Sequence, residues 1–130
     1  MQNRIIRRGE LYYMNLGYQK GSTQEGSRPV LVIQNNTGNY YSNTVIVAPI
    51  TSKIKKLYMP THVLLYPGST GLKKTSMVLL EQIMTVNKEQ LLSCLGQTSD
   101  RDLYRINRAI CVSTGLPIHE SRMNAKQHGR

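Results

Sequence analysis

Between Glu10 and Val86 the apolar residues come in short runs, each closed by Gly, Pro, Asn or Ser, and none is long enough for a helix. That pattern most constrains the fold, because short runs bounded by turn residues read as strands. Five strands are expected: "ELYYMN" from Glu10 to Asn15, "PVLVIQN" from Pro29 to Asn35, "TVIVAPI" from Thr44 to Ile50, "THVLL" from Thr61 to Leu65, and a long "SMVLLEQIMTV" from Ser76 to Val86. Asn36 to Asn39, "NTGN", reads as a turn, since Asn and Gly tolerate positive φ. "NKEQLL" from Asn87 to Leu92 reads as a short helix capped by Asn87. The clear helix is "SDRDLYRINRAICVSTGLP". Ser99 caps it, Asp100 and Asp102 sit in its first turn, and Leu103, Ile106 and Ile110 recur at helical spacing. Gly115 and Pro117 end it. The fold class is therefore mainly β with a C-terminal helix, a small and strongly bent sheet or barrel covered on one side.

The 130 residues suit one domain, expected over residues 1 to 117, with residues 118 to 130 expected as a disordered tail lacking periodicity. With no Phe or Trp, the core must be built from Val, Ile, Leu and Met. The start, "MQNRIIRRGE", has charge but no apolar stretch, unlike a secretory leader. No apolar run approaches the ~18 residues of a membrane span. Cys94 and Cys111 match no metal spacing and read as reduced thilos of a cytoplasmic protein that does not enter a membrane.

Seventeen Lys and Arg against seven Asp and Glu give a net charge of +10, spread along the chain, which favours a polyanionic partner. Metal-ligand spacings, P-loops and nucleophile elbows are missing from the sequence, so no metal or cofactor is expected. What remains is a set of individually ordinary residues. Arg28 precedes Pro29, which biases it toward extended backbone at a strand mouth. Thr51 closes another strand, and Lys53, Lys55 and Lys56 follow it in "KIKK". Together they offer a planar cation, a hydroxyl and three lysines, while Tyr40, Tyr41 and Tyr58 in connecting segments offer faces for unpaired bases.

The blocks "RRGELYYMNL", "GSTQEGSRPVLVIQNNTGN", "TVIVAPITSKI", "PTHVLL" and "SMVLLEQIMTV" resemble, in order and spacing, the MazF/PemK toxins of bacterial toxin–antitoxin systems, over about residues 7 to 115. The resemblance implies an SH3-like barrel with a C-terminal helix, working as a homodimer. It also implies a metal-independent, sequence-specific endoribonuclease acting on single-stranded RNA or mRNA, with 2′,3′-cyclic phosphate and 5′-hydroxyl products, neutralised by a cognate antitoxin. By position, the family's catalytic arginine falls on Arg28 and its threonine on Thr51. Ser22 and Gln24 match loop positions bordering the RNA, and Gln82 a glutamine that touches it. Asn35 and His62 also fall on matching positions. Two departures stand out: Thr23 where many relatives have a glutamate, with Glu25 two positions later, and Met84 where many have an arginine.

The chemistry this implies is attack of a ribose 2′-hydroxyl on its own phosphate, which needs alignment, neutralisation of phosphoryl charge and two proton transfers. Arg28 suits charge neutralisation, because its fork matches phosphate oxygens, and Thr51 adds a hydrogen bond. The general base stays open, with Glu25 and His62 as candidates. Two other readings stay open at this point: a non-catalytic RNA-binding barrel, and a toxin of the same fold acting on a protein such as gyrase.

Overall fold

The computed structural model describes residues 5–15, 27–54 and 59–118. Seven strands and two α-helices make up these segments: β1 (Glu10–Asn15), β2 (Ser27–Val32), α1 (Asn36–Tyr41), β3 (Thr44–Thr51), β4 (His62–Leu65), β5 (Ser76–Leu79), β6 (Met84–Asn87), β7 (Leu91–Gln97) and α2 (Asp100–Thr114). All ladders are antiparallel, in the order β4-β5-β3-β2-β1-β7, with β6 joining β3. The chain is mainly antiparallel β with a C-terminal helix, as its sequence suggests.

Strand alternation divides the core in two, because successive side chains point to opposite faces. Tyr12, Met14, Val30, Val32, Val45, Val47, Val86 and Leu91 form one cluster, enclosed by β7-β1-β2-β3-β6 curling round it. A single 3-10 turn, Lys88–Gln90, joins β6 to β7, so the curl is barrel-like without a closing ladder. Leu11, Leu31, Ala48, Ile50, Val63, Leu65, Val78 and Leu80 face the other way and are covered by Ile106 and Ala109 of α2. α2 has the sequence-expected signals: Ser99 Oγ accepts from the Asp102 N–H at 3.1 Å, and Gly115 ends the helix at φ 78°.

Three expectations need correction. The "NTGN" segment opens a one-and-a-half-turn helix, α1, rather than a turn: Asn35 Oδ1 accepts from the Gly38 N–H at 2.7 Å and so caps it. The long strand from Ser76 to Val86 is broken by a 3-10 turn, Leu80–Gln82, which lets β5 and β6 occupy successive stretches of β3. The short helix expected over Asn87 to Leu92 is only the Lys88–Gln90 turn, after which the chain enters β7, a strand whose "LLSCLGQ" lacks alternation and which pairs β1 through irregular register. Both cysteines are free, with Cys94 exposed. No helix among the described residues is long and apolar enough to cross a membrane. Residues 119 to 130, and with them most of the expected tail, lie outside the described residues.

α1 is fixed by amides rather than by length. Asn39 is fully buried; its Nδ2 donates to the Gln34 carbonyl at 2.9 Å and to Asn36 Oδ1 at 3.2 Å, while its Oδ1 accepts from Gln34 Nε2 at 3.1 Å. Asn36 Oδ1 also takes the Arg8 N–H at 2.7 Å, and Arg8 Nε donates to the Ile33 carbonyl at 2.8 Å. Burial lowers the pKa of that guanidinium. Removing the hub leaves buried amide groups without partners, so Asn39→Ala should cost about 2 kcal/mol or more, read as a lower urea midpoint. An unchanged midpoint would show that the network does not hold α1.

Candidate active site

Arg28 is the second residue of β2 and Thr51 is the last residue of β3. β2 and β3 are paired Val30↔Pro49, Leu31↔Ala48 and Val32↔Val47. The antiparallel pairing brings the start of β2, with Arg28, and the end of β3, with Thr51, to the same end of the sheet. On its other side Arg28 is paired with Met14, and Thr51 with Met77. By alternation along the strands Arg28 shares a side with Val30 and Val32, and Thr51 shares a side with Val45 and Val47, so both belong to the side of the sheet that lines the barrel-like curl, at its mouth. Arg28 is exposed and Thr51 half-buried.

The electrostatics at this corner are simple. The ion pairs among the described residues are His62–Glu81 and Asp102–Arg105, so no described carboxylate neutralises Arg28. Thr51 Oγ1 accepts from the Lys53 N–H at 3.0 Å. That bond engages a lone pair and leaves the hydroxyl proton available for an incoming acceptor. Lys53 is exposed immediately beyond.

β4 and β5 carry the same face outward. The pairs His62↔Leu79 and Leu64↔Met77 put His62 on the side of Met77 and Thr51, opposite the core that Val63 and Leu65 enter. Two strand spacings and two residues along the strands separate His62 from Thr51, about 12 Å between Cα atoms. His62 Nε2 meets Glu81 Oε2 at 2.9 Å, and Thr61 Oγ1 donates to Glu81 Oε1 at 3.0 Å. His62 Nδ1 is buried with no hydrogen-bond partner. Burial pushes the Glu81 carboxyl up. The hydrogen bonds from His62, its own backbone and Thr61, with the electrostatic pull of His62, outweigh this and hold it below the ordinary glutamate value. Gln82, next to Glu81, is exposed.

Other sequence candidates fall elsewhere. Asn35 spends its side-chain oxygen on capping α1, and α1 joins the far ends of β2 and β3. Tyr40 and Tyr41 are 71% and 78% exposed and pack edge to face at 4.7 Å. They too sit at that far end, about 23 Å along β3 from Thr51. Met84 pairs with Val47 and packs against the barrel core, so the position that is an arginine in many relatives here faces inward. Ser22, Gln24, Glu25, Lys55, Lys56 and Tyr58 lie outside the described residues. Sequence reasoning passed over Glu81, although "EQ" beside the expected RNA-contacting glutamine was the available signal. Among the described residues no three His, Cys, Asp or Glu side chains gather as metal ligands.

The model of PemK-like, MazF-like toxins of type II toxin–antitoxin systems matches residues 7–114. The chain belongs to this family. A curated relative, the endoribonuclease MazF of Staphylococcus saprophyticus, is 47% identical over 112 residues, covering 86% of this chain and 93% of the relative. Among solved structures, an endoribonuclease in complex with its cognate antitoxin from Mycobacterial species superposes with a TM-score of 0.72 at 29% identity, covering 87% of this chain and 98% of that one. The MazE–MazF complex from Deinococcus radiodurans gives a TM-score of 0.71 over 88% of this chain and all of that one; at 21% identity it bears on the fold alone. In this PemK/MazF-type toxin Arg28 and Thr51 stand at one end of the β2–β3 pair, and the β4–β5 hairpin continues the sheet beside Thr51.

Proposed function

We propose that this toxin is an endoribonuclease that cleaves single-stranded RNA, mRNA included, at a short sequence, in the cytoplasm. The observation that supports the reading is that an exposed Arg28 and Thr51 stand at the same end of the paired strands β2 and β3, with the threonine oxygen bonded by a backbone N–H. The ribose 2′-oxygen bonds to the adjacent phosphorus as the bond from phosphorus to the 5′-oxygen breaks. A cyclic 2′,3′-phosphate remains on one fragment and a 5′-hydroxyl on the other. The 2′-hydroxyl proton leaves to a base, and the departing oxygen takes up a proton.

Arg28 meets the charge growing on the phosphoryl oxygens with a planar fork and supplies donors beside the leaving oxygen. Thr51 adds one neutral donor. Lys53 draws in the RNA backbone, and Gln82 contacts RNA along the same face. His62 is not assigned a proton transfer, since Glu81 holds one of its ring nitrogens and the other is buried. Ser22 and Gln24 are assigned to RNA contact on family resemblance, Lys55 and Lys56 on their charge, and Glu25 is the remaining candidate for the base. The working form is a homodimer, and a cognate antitoxin neutralises it by covering the RNA face; the Mycobacterial endoribonuclease solved with its cognate antitoxin supports that partner.

Incubating the purified protein with a long RNA and mapping the new ends tests the reading. Discrete cuts bearing cyclic phosphate and 5′-hydroxyl ends are expected, at a rate unchanged by EDTA. RNA retained intact on the protein would instead make it a binding module, and strong inhibition by EDTA would give the chemistry to a metal.

A further inference from the structure

A face that receives a polyanion is expected to be basic, yet one of its fixed groups is a carboxylate. Glu81 is tied by two side-chain hydrogen bonds, to His62 at 2.9 Å and to Thr61 at 3.0 Å. Its side chain remains 35% exposed on the side of the sheet where Thr51 emerges. A carboxylate offers about four lone-pair directions. These two bonds and the one from its own backbone engage three, so the carboxylate keeps acceptor capacity toward solvent. Near a phosphate backbone such a charge lowers affinity for every RNA alike, unless something on the RNA donates to it. Ribose hydroxyls donate at every nucleotide alike, so discrimination comes from base edges: a carboxylate set against the exocyclic amino group of cytosine or adenine meets the acceptor O4 when uracil takes that place. The imidazole serves this arrangement from behind. With Nε2–H given to Glu81 and Nδ1 buried, it is a brace that stops the carboxylate turning away.

We infer that Glu81 is a specificity-determining residue that accepts a hydrogen bond from the exocyclic amino group of a base neighbouring the cleaved linkage, thereby excluding uracil at that one position. The inference rests on the ribonuclease reading above. The carboxylate is held by His62, whose Cα lies about 12 Å from that of Thr51, which sets it beside a nucleotide next to the cleaved linkage rather than at the scissile phosphate.

The test is a cleavage profile on an RNA library randomised around the cut, comparing the wild-type protein with Glu81→Gln and His62→Gln. The wild type is expected to prefer amino-bearing bases over uracil at one position by roughly tenfold or more. Glu81→Gln, which keeps the shape and adds a donor for the uracil oxygen, should flatten or invert that preference there and leave the other positions alone. His62→Gln, which loosens the brace, should blur the same position less. A Glu81→Gln profile identical to wild type overturns the inference, as does an equal fall in rate at every sequence, which would make Glu81 a structural partner of His62. A wild-type protein that cuts no RNA removes the ribonuclease reading itself, an outcome distinct from either.

Discussion

Replacing Arg28 with Ala should slow RNA cleavage by about a hundredfold to a thousandfold, while the melting curve stays within error of the wild type. The two outcomes separate because Arg28 is exposed and paired with no described carboxylate, so the fold loses little when it goes. The reaction loses the cation that meets the phosphoryl charge. Arg28→Lys keeps a charge but not the planar fork, and should fall between the two. Thr51→Ala should cost about a hundredfold through the lost donor, whereas Thr51→Ser keeps the hydroxyl that Lys53 N–H orients and should retain most of the rate. Rates are read by gel on an RNA cut once by the wild type. Normal cutting by Arg28→Ala would move the chemistry away from this corner altogether.

The second large effect is on stability, where the loop between β4 and β5 crosses β7. Gly71 has φ +77°, and a Cβ built on it would collide with the backbone carbonyl of Leu95; a Cβ on Gly96 would collide with the Ser69 carbonyl. Gly68 has φ +128° with open space around it. The three positions therefore separate two costs: Gly68→Ala carries backbone strain alone, Gly96→Ala a backbone collision alone, and Gly71→Ala both. Strain costs about 1–2 kcal/mol and forced repacking about 1–3. Gly71→Ala should lose on the order of 4 kcal/mol, enough to lower the melting midpoint by roughly 10–20 °C or to prevent folding. Calorimetry on the series should rank Gly71→Ala lowest and Gly68→Ala nearest the wild type. A Gly71 variant as stable as Gly68→Ala would mean that the loop lifts freely off β7.

The strands that sequence revealed best are those whose burial is written in their own residues. β1, β3 and β4 were legible almost to their ends because apolar alternation there has to match a fixed face. α2 was equally plain, carrying cap, period and terminating glycine in one stretch. β7 was hidden because its exposure follows no alternation and its place depends on β1, more than seventy residues earlier. The break at Leu80–Gln82 was hidden for a related reason: the apolar run continues through it, and only the need to change ladders interrupts the strand. In the site, family resemblance singled out Arg28 and Thr51, and the antiparallel pairing of β2 with β3 brings them to one end of the sheet. Glu81 escaped notice because its significance lies in what it touches, and neither His62 nor Thr61 is near it in sequence.

β3 changes partner on one edge, from β6 over Thr44–Val47 to β5 over Ile50–Thr51. Arg28 and Thr51 are anchored by the β2 side of that strand, and the His62–Glu81 wall by the hairpin hung from its other edge. On the proposed reading, a toxin built this way has two modules on a shared spine, one that breaks the bond and one that chooses where, and drift in the hairpin would move the target sequence while the bond-breaking corner is inherited untouched.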